Sequence, residues 1–288
     1  MYNPFNFLKQ AITPSFLGVD IGTTSIKIVE VGQGKQLPKV INYALLENQS
    51  SLIRSSAVFQ SSALKLFDRE IIELLKAATE RMKPKTKEVI ASLPGFAAFT
   101  TVLNFPEMDS SELGKAMIFQ AKQYIPLSLS EVALDWLKIG EYEDENGFKY
   151  SKVFLISVPK EQIKKYQRIF SGAGLRLRAL EIEGLSLARS LTGNDPIPTM
   201  IVDIGSRSTA IAIIEQGQLK FTTQTDFAGT SLSQALASSL GINPLRAEEL
   251  KKERGVIGTG PNYELSTIML PLLDVIINEM KRAQFNYE

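Results

Sequence analysis

The 288-residue sequence contains no cysteine and no histidine. The first absence removes disulfides, thiolate metal sites and thiol nucleophiles. The second removes a Ser-His-Asp triad and imidazole-ligated zinc. Chemistry in this chain therefore falls to carboxylates, Lys, Arg, hydroxyls, backbone amides or a hard cation. No sign of charge dominates either. The 32 Lys and Arg stand against 31 Asp and Glu, a net charge of +1, so composition makes no case for a nucleic-acid binder. No apolar run reaches the length of a transmembrane helix, and the best one, "TIMLPLLDVII", is interrupted by Pro271 and Asp274. Residues 1–16 lack the charged start and long apolar run of a signal peptide and read as a tail. The expected compartment is the cytoplasm. A Walker loop, GxxxxGK followed by Ser or Thr, is missing as well.

What is present is an ordinary globular balance, 44% apolar against 22% charged, in a chain long enough for two domains. Residues 16–47 read as three strands. A helix is expected over 61–83, with Leu64, Phe67, Ile71, Leu74, Ala78 and Met82 on one face. Two strands follow, "EVIASLPG" and "FTTVLNFP". A helix capped by Asp109, with Glu112 three residues on, then runs to Tyr124. Residues 131–159 read as a hairpin whose Asn146-Gly147 pair signals a type I′ turn. A further helix begins near Pro159, and a strand and a helix follow from Arg176. Thr192–Pro198 is a turn-rich break. Beyond it come three more strands, a helix capped by Thr230 or Ser231, another ending at Gly255, and a long helical pattern from Glu264.

Two stretches repeat each other. "FLGVDIGTTSIKIVEV" begins at Phe16, and "MIVDIGSRSTAIAIIEQG" begins at Met200. Val19-Asp20-Ile21-Gly22 matches Val202-Asp203-Ile204-Gly205, and both copies continue as apolar strand, hydroxyl-bearing turn, alternating strand, glycine turn and third strand. This is a duplicated hairpin core, the mark of two related domains. A glycine there admits positive φ and lets backbone N–H groups converge on an anion such as phosphate. Thr23, Thr24, Ser25, Ser206, Ser208 and Thr209 add hydroxyl donors. A carboxylate beside phosphate needs a cation between them. Mg²⁺ fits, bound through one or two carboxylates plus phosphate oxygens. Asp20 and Asp203 are thus the expected metal-facing residues, with Lys27 in reach of the β- or γ-phosphate. A solvated Asp-Gly turn would explain one copy, and two equivalent copies favour the nucleotide reading.

The paired turns resemble the actin-like ATPase superfamily of actin, sugar kinases, chaperone ATPases and FtsA. Within it the chain is similar to the PilM family, the cytoplasmic actin-like proteins of type IV pilus assembly. The likeness rests on "LGVDIGTTSIKIVEV", "FPEMDSSELGKAMIFQAKQYIPLSLSEVALDW", "VFLISVPKEQIKKYQRIFSGAGLRLRALEIEGLSLARSL", "IVDIGSRSTAIAIIEQGQL" and "AEELKKERG". It implies an α/β, actin-like (ribonuclease H-like) fold with duplicated domains. The first would hold residues 16–86 and 160–198, an inserted α+β subdomain 87–159, and the second domain 199–288. It implies ATP and Mg as cofactors in one cleft. Asp20, Gly22, Thr23, Thr24 and Lys27 match the first phosphate motif, and Asp203, Gly205, Ser206 and Ser208 the second. Glu183 matches a water-orienting acid, the catalytic candidate of at most a weak ATPase. Glu248 and Lys251 match ribose and adenine contacts. Read alone, Glu183 is equally a helix-start carboxylate, and Glu248 with Lys251 an i,i+3 surface pair.

Two departures stand out. Ala228-Gly229 replaces the family's usual Gly-Gly, and no glycine-rich adenosine motif follows Glu264. The chain is therefore expected to be a truncated or divergent member lacking the C-terminal end of the second domain. The implied function is a pilus-assembly scaffold connected with twitching motility, held at the inner face of the inner membrane through its partners. The implied partner is the N-terminal cytoplasmic segment of a PilN-like membrane protein, docked on the inserted subdomain. Other pilus components and self-association are further partners. An FtsA-like division filament is the alternative. A sugar kinase ranks below it, because no Asp base in a Gly-rich loop is found.

Overall fold

The computed structural model describes residues 15–34, 38–47, 68–193, 195–256 and 263–287. The described chain divides into two compact units. Residues up to 47, 68–93 and 163–181 form the first, and residues 94–162 and 182 onward form the second.

The first unit is built on a five-stranded sheet in the order β3-β2-β1-β4-β8. β1 (Phe16–Ile21), β2 (Ser25–Gly32) and β3 (Lys39–Glu47) form an antiparallel meander, and β4 (Glu88–Leu93) joins β1 in parallel. The strict alternation of β1 and β2 buries Leu17, Val19, Ile21, Ile26 and Ile28. α1 (Asp68–Met82) buries Ile71, Leu75, Ala78 and Met82, the period expected of an amphipathic helix. The expected helix residues 61–67, with Leu64 and Phe67, lie outside the described residues, as does the tail 1–14. α3 (Lys160–Gly172) buries Tyr166, Ile169 and Phe170. It ends where Gly174 takes a φ of +73° and Leu175 N–H closes on the Phe170 carbonyl at 2.8 Å. β8 (Arg176–Ile182) completes the sheet, and Arg176 and Arg178 both grip the Glu88 carboxylate of β4.

The second unit holds two three-stranded sheets. In one, ordered β5-β7-β6, β5 (Phe99–Pro106) and β6 (Val132–Glu143) flank β7 (Lys149–Pro159). α2 (Ser110–Tyr124) places Met117 and Ala121 in a core with Leu103, Phe105, Val132, Val153 and Leu155. Each of the larger of these side chains, taken fully out of water, contributes about 1.5–3 kcal/mol. Asp109 caps α2 as expected, accepting from Ser111 and Glu112 N–H, each at 2.8 Å. Tyr124 departs from the expected face and is 47% exposed. The other sheet is the second meander, β9 (Thr199–Ile204), β10 (Thr209–Glu215) and β11 (Gln218–Thr225), ordered β11-β10-β9. α4 (Glu183–Leu191) packs on β10 and β11. α5 (Gly229–Leu240), α6 (Pro244–Arg254) and α7 (Tyr263–Tyr287) share a core of Leu232, Leu236, Ala237, Ala247 and Met269. Lys220 of β11 donates to the Ile139 carbonyl of β6 and so links the two sheets.

Two local expectations are corrected. The β6–β7 turn is not type I′, because that type needs positive φ at both central residues and only Gly147 has it, at +82°. Gly147 N–H bonds the Asp144 carbonyl, and the Asp144 carboxylate accepts from Asn146 and Phe148 N–H. The type I′ geometry appears instead at Gln216-Gly217, with φ of 54° and 71°, between the paired Glu215 and Gln218. α5 starts before both expected caps. Its N-cap is Ala228, and Ser231 is an N3 residue whose hydroxyl accepts from Ala228 N–H at 3.3 Å.

Candidate functional site

The two repeated turns share one backbone geometry. Gly22 N–H bonds the Ser25 carbonyl at 2.9 Å, and Gly205 N–H bonds the Ser208 carbonyl at 3.0 Å. Neither glycine has positive φ. The reason for glycine is steric, since an added Cβ would stand 3.0 Å from Ser25 O at Gly22 and 2.9 Å from Ser208 O at Gly205. Both N–H groups are also spent closing the turn. The expected positive φ is thus absent, and in each turn the glycine's own amide serves turn closure and does not face an anion. Thr23 and Thr24 are half-buried, with no side-chain hydrogen bond among the described residues.

In the first unit Asp20 and Lys27 are direct partners in the β1–β2 register. Cross-strand partners share a face of the sheet. Lys27 Nζ donates to Asp20 Oδ2 at 3.0 Å. The other carboxylate oxygen accepts from Ser92 Oγ at 2.8 Å. Ser92 was not singled out from the sequence. The parallel register of β1 and β4 sets it opposite Asp20, and "EVIASLPG" as a strand beside the first turn was the signal available.

In the second unit Asp203 pairs in register with Ala210, so this copy has no lysine at the position of Lys27. Asp203 is half-buried and has no hydrogen-bond or ion-pair partner among the described residues. The start of α5 sits on the turn. Gly229 N–H bonds the Gly205 carbonyl at 3.0 Å, Thr230 N–H bonds the Ser206 carbonyl at 2.7 Å, and the Ser206 and Thr230 hydroxyls lie 2.9 Å apart. The close approach expected of a Gly-Gly pair is retained by Gly229, whose Cβ would lie 3.2 Å from Gly205 O. Ala228 is simply buried, 1% exposed. Lys251 Nζ donates to the Gly229 carbonyl at 2.8 Å and to Glu248 Oε2 at 2.6 Å, and Ser233 donates to the same Glu248 oxygen. Their side chains are only 18% and 15% exposed, which separates them from a solvated i,i+3 pair. Gly205, Ser206, Glu248 and Lys251 therefore form one connected cluster.

Glu183 lies apart from that cluster. It opens α4 and borders a cavity of about 280 Å³, lined also by Thr100, Ile182, Ala210, Thr222 and Gln224. Among the described residues no three acidic side chains gather as a metal cage. That leaves single carboxylates at each turn, a donor set that fits a hard cation shared with phosphate oxygens and water.

A family model described as type IV pilus assembly protein PilM matches residues 18–287. The chain belongs to the PilM family. Its fold is actin-like, as its solved neighbours are. The structure titled "PilM-PilN type IV pilus biogenesis complex" has a TM-score of 0.75 at 20% identity, over 94% of this chain and 76% of that one. MreB 5 of Spiroplasma citri, bound to AMPPNP, has a TM-score of 0.55 at 14% identity, over 96% and 80%. Among curated relatives, the cell division protein FtsA of Enterococcus faecalis is 22% identical over 266 residues. That match covers 85% of this chain, which spans 59% of that relative's length. No helix among the described residues is long and apolar enough to cross a membrane.

Proposed function

We propose that this PilM-family chain is a nucleotide-responsive scaffold of type IV pilus assembly. It would act at the cytoplasmic face of the inner membrane and bind the N-terminal cytoplasmic segment of a PilN-like membrane protein. The observation that carries the reading is the family match across residues 18–287, supported by the likeness to the PilM–PilN complex. ATP with Mg²⁺ is the proposed ligand, supported by the two equivalent turns and by a fold-neighbour solved with AMPPNP. In this reading Asp20 and Asp203 face the metal. Gly22, Thr23, Thr24 and Lys27, with Gly205, Ser206 and Ser208, border the phosphates. Glu248 and Lys251 border the nucleoside, and Glu183 orients water for a slow hydrolysis at most. The proposed organisation keeps residues 16–86 with 160–198 as one domain, 87–159 as the insert and 199–288 as the second domain.

The sheet β5-β7-β6 gives the peptide proposal its chemistry. It has two edge strands, and an extended peptide gains main-chain hydrogen bonds at such an edge and specificity from side-chain pockets. The test is a titration of the full chain with the N-terminal cytoplasmic peptide of a PilN-like protein. Saturable binding weakened by changes between Val89 and Tyr124, such as Val102→Glu, supports the reading. No binding, or binding indifferent to every such change, overturns it. The FtsA match over 266 residues keeps a division filament as the second reading, which binding to a tubulin-like protein would favour.

A further inference from the structure

Among the described residues, β3 is an edge strand of the first unit's sheet with β2 as its one strand partner. Edge strands expose unpaired backbone groups, and proteins blunt them with charges, proline or bulges. β8, at the opposite edge of the same sheet, carries Arg176 and Arg178. β3 has a bulge at Ile41, which falls between the register pairs Val31–Val40 and Glu30–Asn42. Its charges, though, stand only at its two ends, Lys39 and Glu47. Between them Val40 is 59% exposed, Ile41 42%, Tyr43 76% and Leu45 58%. Asn42 is held on the opposite face, where its Nδ2 donates to the Met82 carbonyl at 2.8 Å. Tyr43 N–H, the backbone donor at the centre of the strand, donates to the Asn42 side-chain oxygen at 2.9 Å, a local bond that a neighbouring strand's carbonyl can replace.

The sequence of this strand is complementary to its own reverse. Laid antiparallel about Tyr43, two copies set Lys39 of each at the Glu47 end of the other, Ile41 beside Leu45, and Tyr43 against Tyr43. A two-fold axis through Tyr43 also lets each Tyr43 N–H exchange its Asn42 side-chain partner for the other copy's carbonyl, as in a hydrogen-bonded antiparallel pair. Cross-strand neighbours share a face, so the exposed apolar side chains of both copies merge into one patch.

We infer that β3 is a self-association edge, and that its occupant is the β3 of a second copy, paired antiparallel about Tyr43. The arrangement is isologous, so it closes as a dimer and does not run on as a fibre. It makes one continuous sheet of the two β3-β2-β1-β4-β8 sheets. The bulge at Ile41 limits the regular ladder to the middle of the strand. The contact is therefore small and of the weak, transient class. The inference is independent of the pilus role, since it uses only the first unit's sheet.

The experiment is sedimentation velocity on the full chain over a concentration series. Wild type is expected to pass reversibly from monomer to dimer. Tyr43→Lys sets two ammonium groups against each other on the axis and removes the ring contact, so the dimer should weaken by roughly tenfold or more. Tyr43 is largely exposed, and an unchanged thermal melt checks that the fold is intact. Lys39→Glu and Glu47→Lys should each weaken self-association, whereas a mixture of the two variants should recover it as a heterodimer. A monomer at every concentration overturns the inference, as does association indifferent to Tyr43→Lys. Failure of the mixed variants to recover overturns the antiparallel two-fold arrangement.

Discussion

At Gly22 and Gly205 a hydrogen atom stands where any other residue would place a Cβ against a carbonyl oxygen, 3.0 Å and 2.9 Å away. These glycines serve closure of the turn, and through it they set the direction of Asp20 and Asp203. Gly22→Ala and Gly205→Ala should each destabilise the chain by about 1–3 kcal/mol through forced backbone displacement. Urea denaturation reads this directly. A cost as small as that of an exposed Gly→Ala change elsewhere would show that the turns relax freely. The surroundings of the two carboxylates differ. Asp20 is already engaged by Lys27 and Ser92, whereas Asp203 has no partner among the described residues. The repeat has kept the position and changed its environment.

At the scale of elements, Glu88 pins β4 to β8. The hydrogen bond from Arg178 is the main cause that holds its carboxyl below the ordinary value of 4.5; burial opposes it as the next largest effect, and the charges of Arg176 and Arg178 and the hydrogen bond from Arg176 add to the lowering. A carboxyl depressed in the folded state contributes stability above its unfolded pKa and loses it as pH falls through the folded one. Wild type should therefore exceed Glu88→Gln in stability at pH ~7, and the gap should close as pH falls below 4.5. Added salt should narrow it too, because the arginines are exposed. Chemical denaturation of both proteins across that range checks the sign. An equal gap at pH ~7 and pH ~3 would mean that Glu88 acts by shape and not by charge.

For the whole molecule, the proposed nucleotide would compete with contacts the chain already makes with itself. Mg²⁺ at Asp20 would compete with the Lys27 ammonium, and a ribose or base at Glu248 and Lys251 would compete with their mutual ion pair, Ser233 and the Gly229 carbonyl. Phosphate and Mg²⁺ also leave strong hydration behind, so only the surplus appears as affinity. Calorimetry is expected to show weak, Mg-dependent ATP binding with little hydrolysis, abolished by Asp20→Ala. A dissociation constant of about 1 μM or tighter would show that these internal pairs do not oppose the ligand.

Sequence by itself determined the elements whose residues carry their own pattern. The alternation in "FLGVDI" and "SIKIVEV" specified buried strands. The spacing of Ile71, Ala78 and Met82 specified a helix face, and the gapless match of the Asp-Ile-Gly turns specified a duplicated core. These are local periodicities, and burial of one face needs no more than the period. Tertiary structure alone decided what meets across distance in the chain. The parallel pairing of β1 and β4 put Ser92 on Asp20, and packing of α5 and α6 against the second turn joined Lys251 to Gly229. It also decided the turn types, since φ at Asn146 and Gln216 depends on the side-chain and ladder bonds around them and not on the dipeptide alone. The exposed stripe of β3 belongs to the same class. In the sequence it is one more apolar strand, and only its place at the end of the sheet leaves Tyr43 in water.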